Sequence, residues 1–330
     1  MPRIQAACSL ARSAVALGVL LAAVLCADTV RAQWPERQIT MIACFPAGGG
    51  TDIAARLVNT QLGEALGKPV IVENRGGAGG SIGTAFVARA APDGYTLLVC
   101  SSAFVVNPSL YANVTYDPHK DFAPIMVLGA SPNAFVVPAQ SPIKSMREFL
   151  DKAKANPGKL NWTSPGAGTT PHLAGEVLKL RTGVDMVHIP FTGAGPATTA
   201  VIAGQVDLYT VNIGSLMGHI DGGKMRPVAV TSKQRWPDLP DVPSLEELGI
   251  KDAESDTFQG VYAPGGTPQP VVDRIAKELA AILARPDVKE KFAKAGLPVT
   301  AEPPNVFKAR IAREVPMYKE IIDKANLKIR

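Results

Sequence analysis

The sequence predicts an α/β protein with two lobes, each built on a mainly parallel sheet flanked by helices. Apolar strand patterns alternate with helical patterns along most of the chain, which is typical of parallel strands joined by right-handed crossovers. The length of 330 residues fits two domains. Two glycine-rich stretches, Phe45–Asp52 and Ser164–Thr170, each follow a strand pattern and precede a helical one. We therefore expect one such loop in each lobe.

Residues 1–32 are predicted to be a secretory signal peptide. Arg3 and Arg12 supply a positive n-region, and Ala14–Ala27 is an uncharged apolar stretch. That stretch is too short for a stable membrane span. We expect cleavage after Ala32 and an exported mature chain.

Charge and cysteine usage exclude several classes of protein. The formal net charge is +5, and the basic residues are scattered along the chain, so no nucleic-acid surface is expected. Two of the four cysteines lie in the signal peptide, and no Cys/His cluster has metal-site spacing. Cys44 and Cys100 each end a strand pattern, where we expect buried free thiols. Export leaves a disulfide between them as the alternative.

The first lobe opens with three predicted strands, Ile39–Phe45, Val70–Val72 and Tyr95–Cys100, separated by helical patterns. In a parallel sheet of this kind, ligands bind beyond the carboxyl ends of the strands, at the switch between the first and third strands. Gly48-Gly49-Gly50 and Ser101-Ser102 follow these two strands. Both segments are therefore expected at a binding site.

Alternating strand and helix patterns in the middle of the chain predict a second α/β unit. Residues 107–124 are expected to be irregular, and strands at Ile125–Leu128 and Ala134–Val137 carry the chain out of the first lobe. Thr170 is predicted to cap the helix that follows the second glycine loop. The C-terminal helical patterns are expected to pack on the first lobe. The predicted lobes are residues 33–130 with 255–330, and residues 131–254, joined by two crossings that make a hinged cleft.

The two glycine loops predict an anion clamp. A strand–loop–helix turn directs backbone N–H groups at a helix N-terminus towards a ligand, and glycines leave room for it. Phe191 and Gly193 belong to a third loop of this type. Asp52 and Asp207 have two open interpretations, a structural acid or a carboxylate that faces the cleft. His172 is expected to be a surface or capping side chain.

Enzyme alternatives find weaker support. Gly79-Gly80-Ser81-Ile82-Gly83 matches the nucleophile-elbow pattern, but several loop residues separate Ser81 from the preceding strand. The last histidine, His219, has no persuasive acid partner. No regular dinucleotide fingerprint occurs. We expect no enzyme, no cofactor and no metal, with an exported serine hydrolase using Ser81 as the alternative.

Seven motifs, spread in order over the mature chain, resemble the tripartite tricarboxylate transporter substrate-binding proteins, the Bug family. The resemblance extends over essentially the whole mature chain, and a match of that many motifs in order is specific. The motifs are Phe45–Asp52, Glu73–Gly80, Pro92–Thr96, Ser164–Thr169, His188–Gly193, Pro240–Leu248 and Ala263–Pro268.

The resemblance implies a type II periplasmic-binding-protein fold and a monomeric periplasmic receptor. Such a receptor captures a small organic carboxylate by cleft closure and delivers it to integral-membrane transporter subunits, or serves as the sensor subunit of a membrane kinase. The family binds one ligand carboxylate between the two glycine loops. The expected ligand-binding residues are Phe45, Pro46, Ala47, Gly48, Gly49, Thr51, Asp52, Ser101, Ser102, Ser164, Gly166, Gly168, Thr169, Thr170, Phe191, Gly193 and Asp207.

Overall fold

The computed structural model describes residues 34–191 and 193–328. The predicted signal peptide lies outside the described residues. The strands are β1 (Ile39–Ala43), β2 (Val70–Asn74), β3 (Thr96–Ser101), β4 (Phe122–Pro138), β5 (Asn161–Ser164), β6 (Val187–Pro190), β7 (Leu208–Asn212), β8 (Met225–Val230), β9 (Asp256–Pro264) and β10 (Val299–Glu302). The helices are α1 (Gly50–Leu66), α2 (Ser81–Ala88), α3 (Ala103–Leu110), α4 (Met146–Ala155), α5 (Thr170–Thr182), α6 (Ala194–Ile202), α7 (Met217–Asp221), α8 (Gln269–Ala284), α9 (Pro286–Lys294) and α10 (Pro304–Lys324).

The strands of the described chain join in one mixed sheet, in the order β2-β1-β3-β9-β4-β7-β5-β6, with β8 and β10 paired to β4. The predicted parallel units are present, because β1 lies parallel to β2 and β3, and β5 lies parallel to β6 and β7. Between these units, β9 runs antiparallel to both β3 and β4. The sheet is therefore parallel towards its two ends and antiparallel in the middle.

Strand β4 connects the two halves of the sheet. Its first part pairs with β9, and its last part pairs with β7 and β8. The sequence predicted two shorter strands here, Ile125–Leu128 and Ala134–Val137. The strand continues because the backbone N–H of Asn133 donates to Thr231 Oγ1 at 2.8 Å and the carbonyl of Ser131 accepts from Asn212 at 3.2 Å. These partners satisfy the polar groups that the strand ladder would otherwise leave unpaired.

Three hydrophobic clusters pack on this sheet. The first surrounds Phe104 and Tyr262, and α10 adds Phe307 to it. The second surrounds Trp162, and the third surrounds Tyr209. The C-terminal helix thus packs where the sequence placed it, against the cluster that contains residues of β1 and β3. The division into the two predicted lobes stays a prediction.

Several local predictions were wrong. Residues 107–124 were expected to be irregular, yet the segment begins inside α3. The sequence does not show this helix as amphipathic, because its apolar residues Phe104, Val105 and Val106 follow one another and are all buried. Strand β10 carried no clear signal; it is short and pairs only with β4. The cap of α5 is Thr169, one residue before the predicted Thr170.

The expectation of free thiols was also wrong, because Cys44 and Cys100 form a disulfide. The parallel register of β1 and β3 pairs Ala43 with Val99. The residues that come next, Cys44 and Cys100, therefore lie opposite each other. The two Cα atoms are 5.4 Å apart, which suits a disulfide. Sequence spacing alone does not reveal this register.

Among the described residues, no helix has the length and apolar character that a bilayer crossing requires.

Candidate functional site

Two adjoining cavities lie beyond the carboxyl ends of β1, β3 and β7. The larger has a volume of about 710 Å³, and the smaller about 240 Å³. They form a single cleft, because five residues line both: Phe45, Ser101, Asn212, Ser215 and Thr257. The larger is also lined by the first glycine loop and by residues 295–297. The smaller is also lined by the second glycine loop.

Four helices begin in the wall of this cleft. The first residue of each helix lines the cleft: Gly50 of α1, Ala103 of α3, Thr170 of α5 and Ala194 of α6. The first amides of a helix have no partner within the helix and carry a partial positive charge. The four N-termini therefore make the cleft favourable for an anion without any cationic side chain.

The side chains in the wall are polar but uncharged. None of the described residues that line the two cavities is Asp, Glu, Lys, Arg or His. A ligand would instead meet hydroxyl and amide groups. The polar side chains are Thr51, Ser101, Ser102, Tyr111, Thr169, Thr170, Asn212, Ser215, Thr257 and Gln259.

The first glycine loop is fixed from behind by Asp52. Its carboxylate accepts the backbone N–H of Gly48 at 2.9 Å, the Nε–H of Arg56 at 2.9 Å and an amide N–H of Asn74 at 2.9 Å. Asn74 also donates to the carbonyl of Phe45 at 3.0 Å. Burial opposes ionisation of this carboxyl, but the hydrogen bonds from Arg56, Gly48 and Asn74 outweigh it, so its pKa lies below the usual value.

The second glycine loop is fixed in a similar way by histidine. The backbone N–H of Gly168 donates to His172 Nδ1 at 3.1 Å. Thr169 caps α5 and donates its hydroxyl to the carbonyl of Gly166 at 2.8 Å. Ser164 Oγ lies 3.0 Å from His188 Nε2. Burial lowers the pKa of His172 to about 3 and that of His188 to about 4, aided by nearby positive charge, so both rings are neutral at neutral pH.

Strand β9 ties both loops together. Thr51 donates its hydroxyl to Gln259 Oε1 at 2.7 Å, and the hydroxyls of Thr170 and Thr257 are 2.6 Å apart. Thr257 and Gln259 lie two positions apart, so their side chains share one face of the strand. Through them β9 contacts the N-termini of α1 and α5 together.

The structure places eleven of the predicted site residues in the cleft wall and six outside it. Those in the wall are Phe45, Pro46, Ala47, Gly48, Gly49, Thr51, Ser101, Ser102, Gly168, Thr169 and Thr170. Those that do not line either cavity are Asp52, Ser164, Gly166, Phe191, Gly193 and Asp207.

The residues outside the wall have structural partners. Asp207 accepts the backbone N–H of Asn161 at 2.9 Å and returns its own N–H to the Asn161 side chain at 2.8 Å. It therefore joins β5 to the start of β7, which is the structural one of its two predicted roles. Ser164 is fully buried beneath its loop, and Phe191 packs against the third hydrophobic cluster.

Sequence reasoning missed part of the wall. Asn212 is the last residue of β7 and Ser215 comes shortly after it, so the rule that selected Ser101 and Ser102 could have found them. Thr257 and Gln259 lie inside a strand, where only their alternation with buried Phe258 distinguishes them.

Ser81 does not lie on a nucleophile elbow. Ser81 is the first residue of α2 and follows a glycine turn rather than a strand. Its hydroxyl accepts a hydrogen bond from Asn107 at 3.1 Å. The described residues also contain no cluster of His, Cys, Asp and Glu that could hold a metal ion.

Known proteins share this fold along nearly the whole chain. A protein from Pseudomonas sp. strain P51, described as the UPF0065 protein in the tcbD-tcbE intergenic region, is 36% identical over 319 residues, covering 95% of this chain and 94% of the relative. The solved periplasmic binding protein BugD is 37% identical with a TM-score of 0.75, covering 90% of this chain and 100% of BugD. The R. palustris protein Rpa4515, solved with adipate, is 30% identical with a TM-score of 0.77, covering 89% of this chain and 98% of Rpa4515.

The fold is that of a periplasmic solute-binding protein. The chain belongs to the tripartite tricarboxylate transporter receptor family, whose model matches residues 54–327.

Proposed function

We propose that this protein captures a small organic carboxylate in the cleft and delivers it to the integral-membrane subunits of a tripartite tricarboxylate transporter. The observation that carries the proposal is the meeting of four helix N-termini on a cleft with an uncharged polar wall. Such a wall attracts an anion through backbone dipoles and offers hydroxyl and amide donors to its oxygens. The adipate held by the similar Rpa4515 supports this ligand class.

Binding would exchange the water around the carboxylate for fixed donors. The helix N-termini of α1 and α5 supply N–H groups, and Thr51, Ser101 and Thr170 supply hydroxyls. Hydrogen bonds to an ionised acceptor are the strong ones, and they strengthen as water leaves the cleft. Among the described residues, no cationic side chain lines the wall. Each further carboxylate on the ligand would therefore lose its water without a positive side chain to compensate for the lost hydration.

Cleft closure would bring together the two proposed lobes, residues 33–130 with 255–330 and residues 131–254. Gly214 and Gly296 belong to different lobes in this division. A Cβ atom built on Gly214 would lie only 2.4 Å from the Cα atom of Gly296. This backbone approach is the contact that we assign to the closed cleft. Release of the signal peptide after Ala32 would leave a monomeric receptor in the periplasm.

A thermal-shift screen with an organic-acid library tests the proposal. A ligand that binds only the folded protein raises Tm, so adipate or a related small carboxylate should raise it, and esters should show no turnover. Gly168→Val is expected to abolish the shift, because Gly168 has a φ of +79° that a β-branched residue does not tolerate. Gly183→Val is the matched control, since Gly183 has a φ of +70° but lies at the far end of α5. A normal shift in Gly168→Val, or no shift with any acid, would contradict the proposal.

A sensor role would use the same cleft with a different partner. Co-purification of the ligand-loaded protein with either the transporter subunits or a membrane kinase distinguishes the two roles.

A further inference from the structure

We propose that Asp52 and His172 are a matched pair of positioning residues that hold the two glycine loops of the cleft in their binding conformation. The inference deepens the proposed function and rests on it, since the loops are the ones that would bind the carboxylate. Neither side chain lines the cleft. Each would act through the backbone of the loop beside it.

The two residues occupy equivalent places. Asp52 is the third residue of α1, and His172 is the third residue of α5. Each lies four positions after a loop glycine with left-handed backbone geometry, Gly48 with a φ of +80° and Gly168 with a φ of +79°. Each accepts the N–H of that glycine, at 2.9 Å and 3.1 Å respectively. Two different side chains thus make the same hydrogen bond in the two halves of the cleft.

Both acceptors are buried and held in place. Asp52 is 4% exposed and His172 is 3% exposed. Asn74 donates to the same Asp52 oxygen as Arg56, so the carboxylate keeps a side-chain partner even without Arg56. The ring of His172 stacks on Trp162, with centroids 5.6 Å apart and planes inclined by 8°. A buried acceptor with a fixed position is worth more to a loop than one in water.

The chemistry requires a lone pair on His172 Nδ1. Because Gly168 donates to Nδ1, the ring proton lies on Nε2. Nε2 is 3.8 Å from Glu176 Oε1, on the side away from the loop. His172 therefore accepts the Gly168 N–H at Nδ1 and directs its own Nε2 proton towards Glu176 of α5.

These hydrogen bonds decide which backbone donors remain for a ligand. Gly48 and Gly168 give their N–H groups to the side chains behind them, so those two amides do not serve the ligand. Fixing the left-handed turns orients the neighbouring residues Ala47 and Ala167, which line the cleft, and the helix amides that follow. The clamp that the sequence predicted from its glycines therefore depends on two side chains outside the wall.

Histidine variants at position 172 separate positioning from simple packing. Asn places its Oδ1 near the site of Nδ1 and can accept the Gly168 N–H, whereas Gln places its oxygen near Nε2 and Ala offers no acceptor. Amide hydrogen exchange of Gly168, followed by NMR without ligand, is the direct readout. We expect exchange close to wild type in His172→Asn and about tenfold faster in His172→Gln and His172→Ala. Equal exchange in the Asn and Gln variants would overturn the proposal.

Asp52 has its own matched control. Asp52→Ala should speed exchange of the Gly48 amide about tenfold. Arg56→Ala removes the ion pair but leaves the acceptor for Gly48, so Gly48 should exchange nearly as in the wild type. If Arg56→Ala accelerates Gly48 as much as Asp52→Ala does, Asp52 is a structural ion-pair member and not a positioning residue.

Calorimetric titration with adipate links the loops to binding. The affinity should fall about tenfold in Asp52→Ala, His172→Gln and His172→Ala, and stay near wild type in His172→Asn and Arg56→Ala. Altered exchange with unchanged adipate affinity would overturn the positioning role in binding. If the wild type binds no acid at all, the proposed function fails, while the exchange pattern still decides whether the two side chains fix the loops.

Discussion

Removing the disulfide between Cys44 and Cys100 is expected to lower the free energy of unfolding by about 4 kcal/mol. The two cysteines are 56 positions apart. In the chain-entropy relation, closing a loop of that size restricts the unfolded chain by this amount at 25 °C. For a folded chain of roughly 300 residues each kcal/mol moves Tm by about 1.6 °C, so Tm should fall by about 6–7 °C.

Thermal unfolding followed by circular dichroism tests this value. The samples are the wild type, the wild type refolded under reductant, and Cys44→Ala/Cys100→Ala. Both cysteines are fully buried in the folded protein, so the wild type must be unfolded before reductant can reach the sulfurs. The double variant is the control, because its Tm should not respond to reductant. A fall of less than about 2 °C in the reduced wild type would refute the reasoning.

The disulfide is also expected to affect binding. Cys44 directly precedes Phe45, and Cys100 directly precedes Ser101, and both following residues line the two cavities. The disulfide therefore fixes the separation of two wall segments at the ends of β1 and β3. Weaker adipate binding by the double variant, at a temperature where it remains folded, would support this connection; unchanged binding would confine the disulfide to stability.

Two further predictions concern pH and closure. Burial raises the pKa of Glu314 to about 7 despite the nearby Arg310. The folded protein therefore favours the protonated carboxyl group. This contribution to stability is fully present below about pH 4.5 and is lost as the pH rises through 7. Glu314→Gln should therefore gain about 2–3 kcal/mol over wild type at pH 8 and little at pH 5, and equal gains at both values in denaturant unfolding would contradict this. Gly214→Ala should weaken adipate binding about tenfold by blocking the approach of Gly296. Gly218→Ala is its control, since a Cβ there meets nothing within 4 Å, and equal affinities in calorimetry would remove Gly214 from closure.

The sequence predicted the parallel units well because their signals are local. An apolar run, a glycine loop and a helix follow one another at Ile39–Leu66, and the strand-end rule then places Gly48 and Ser101 together. These signals need no knowledge of distant contacts. They identified eleven residues of the cleft wall.

The missed features depend on pairing between distant segments. Thr257 and Gln259 reach the cleft only because β9 inserts between β3 and β4. The Cys44–Cys100 disulfide depends on the register of β1 against β3. Asp207 looks equally suited to a ligand or to Asn161 until β5 and β7 are paired. In each case a three-dimensional neighbour decides the role of a side chain.

Asp52 and His172 lie between these two cases. The spacing of four residues from a loop glycine to the third residue of a helix is written in the sequence on both sides of the cleft. The residue types differ, however. A carboxylate and an imidazole at these two positions give no sign in the sequence that they play the same role. Their shared property is an acceptor lone pair directed at a left-handed glycine, and burial keeps His172 neutral and so preserves that lone pair. The two halves of the cleft are thus alike in hydrogen-bond chemistry where they differ in charge. The hydrogen bonds from Arg56, Gly48 and Asn74 lower the pKa of Asp52 and keep it ionised behind a loop that is proposed to bind an anion.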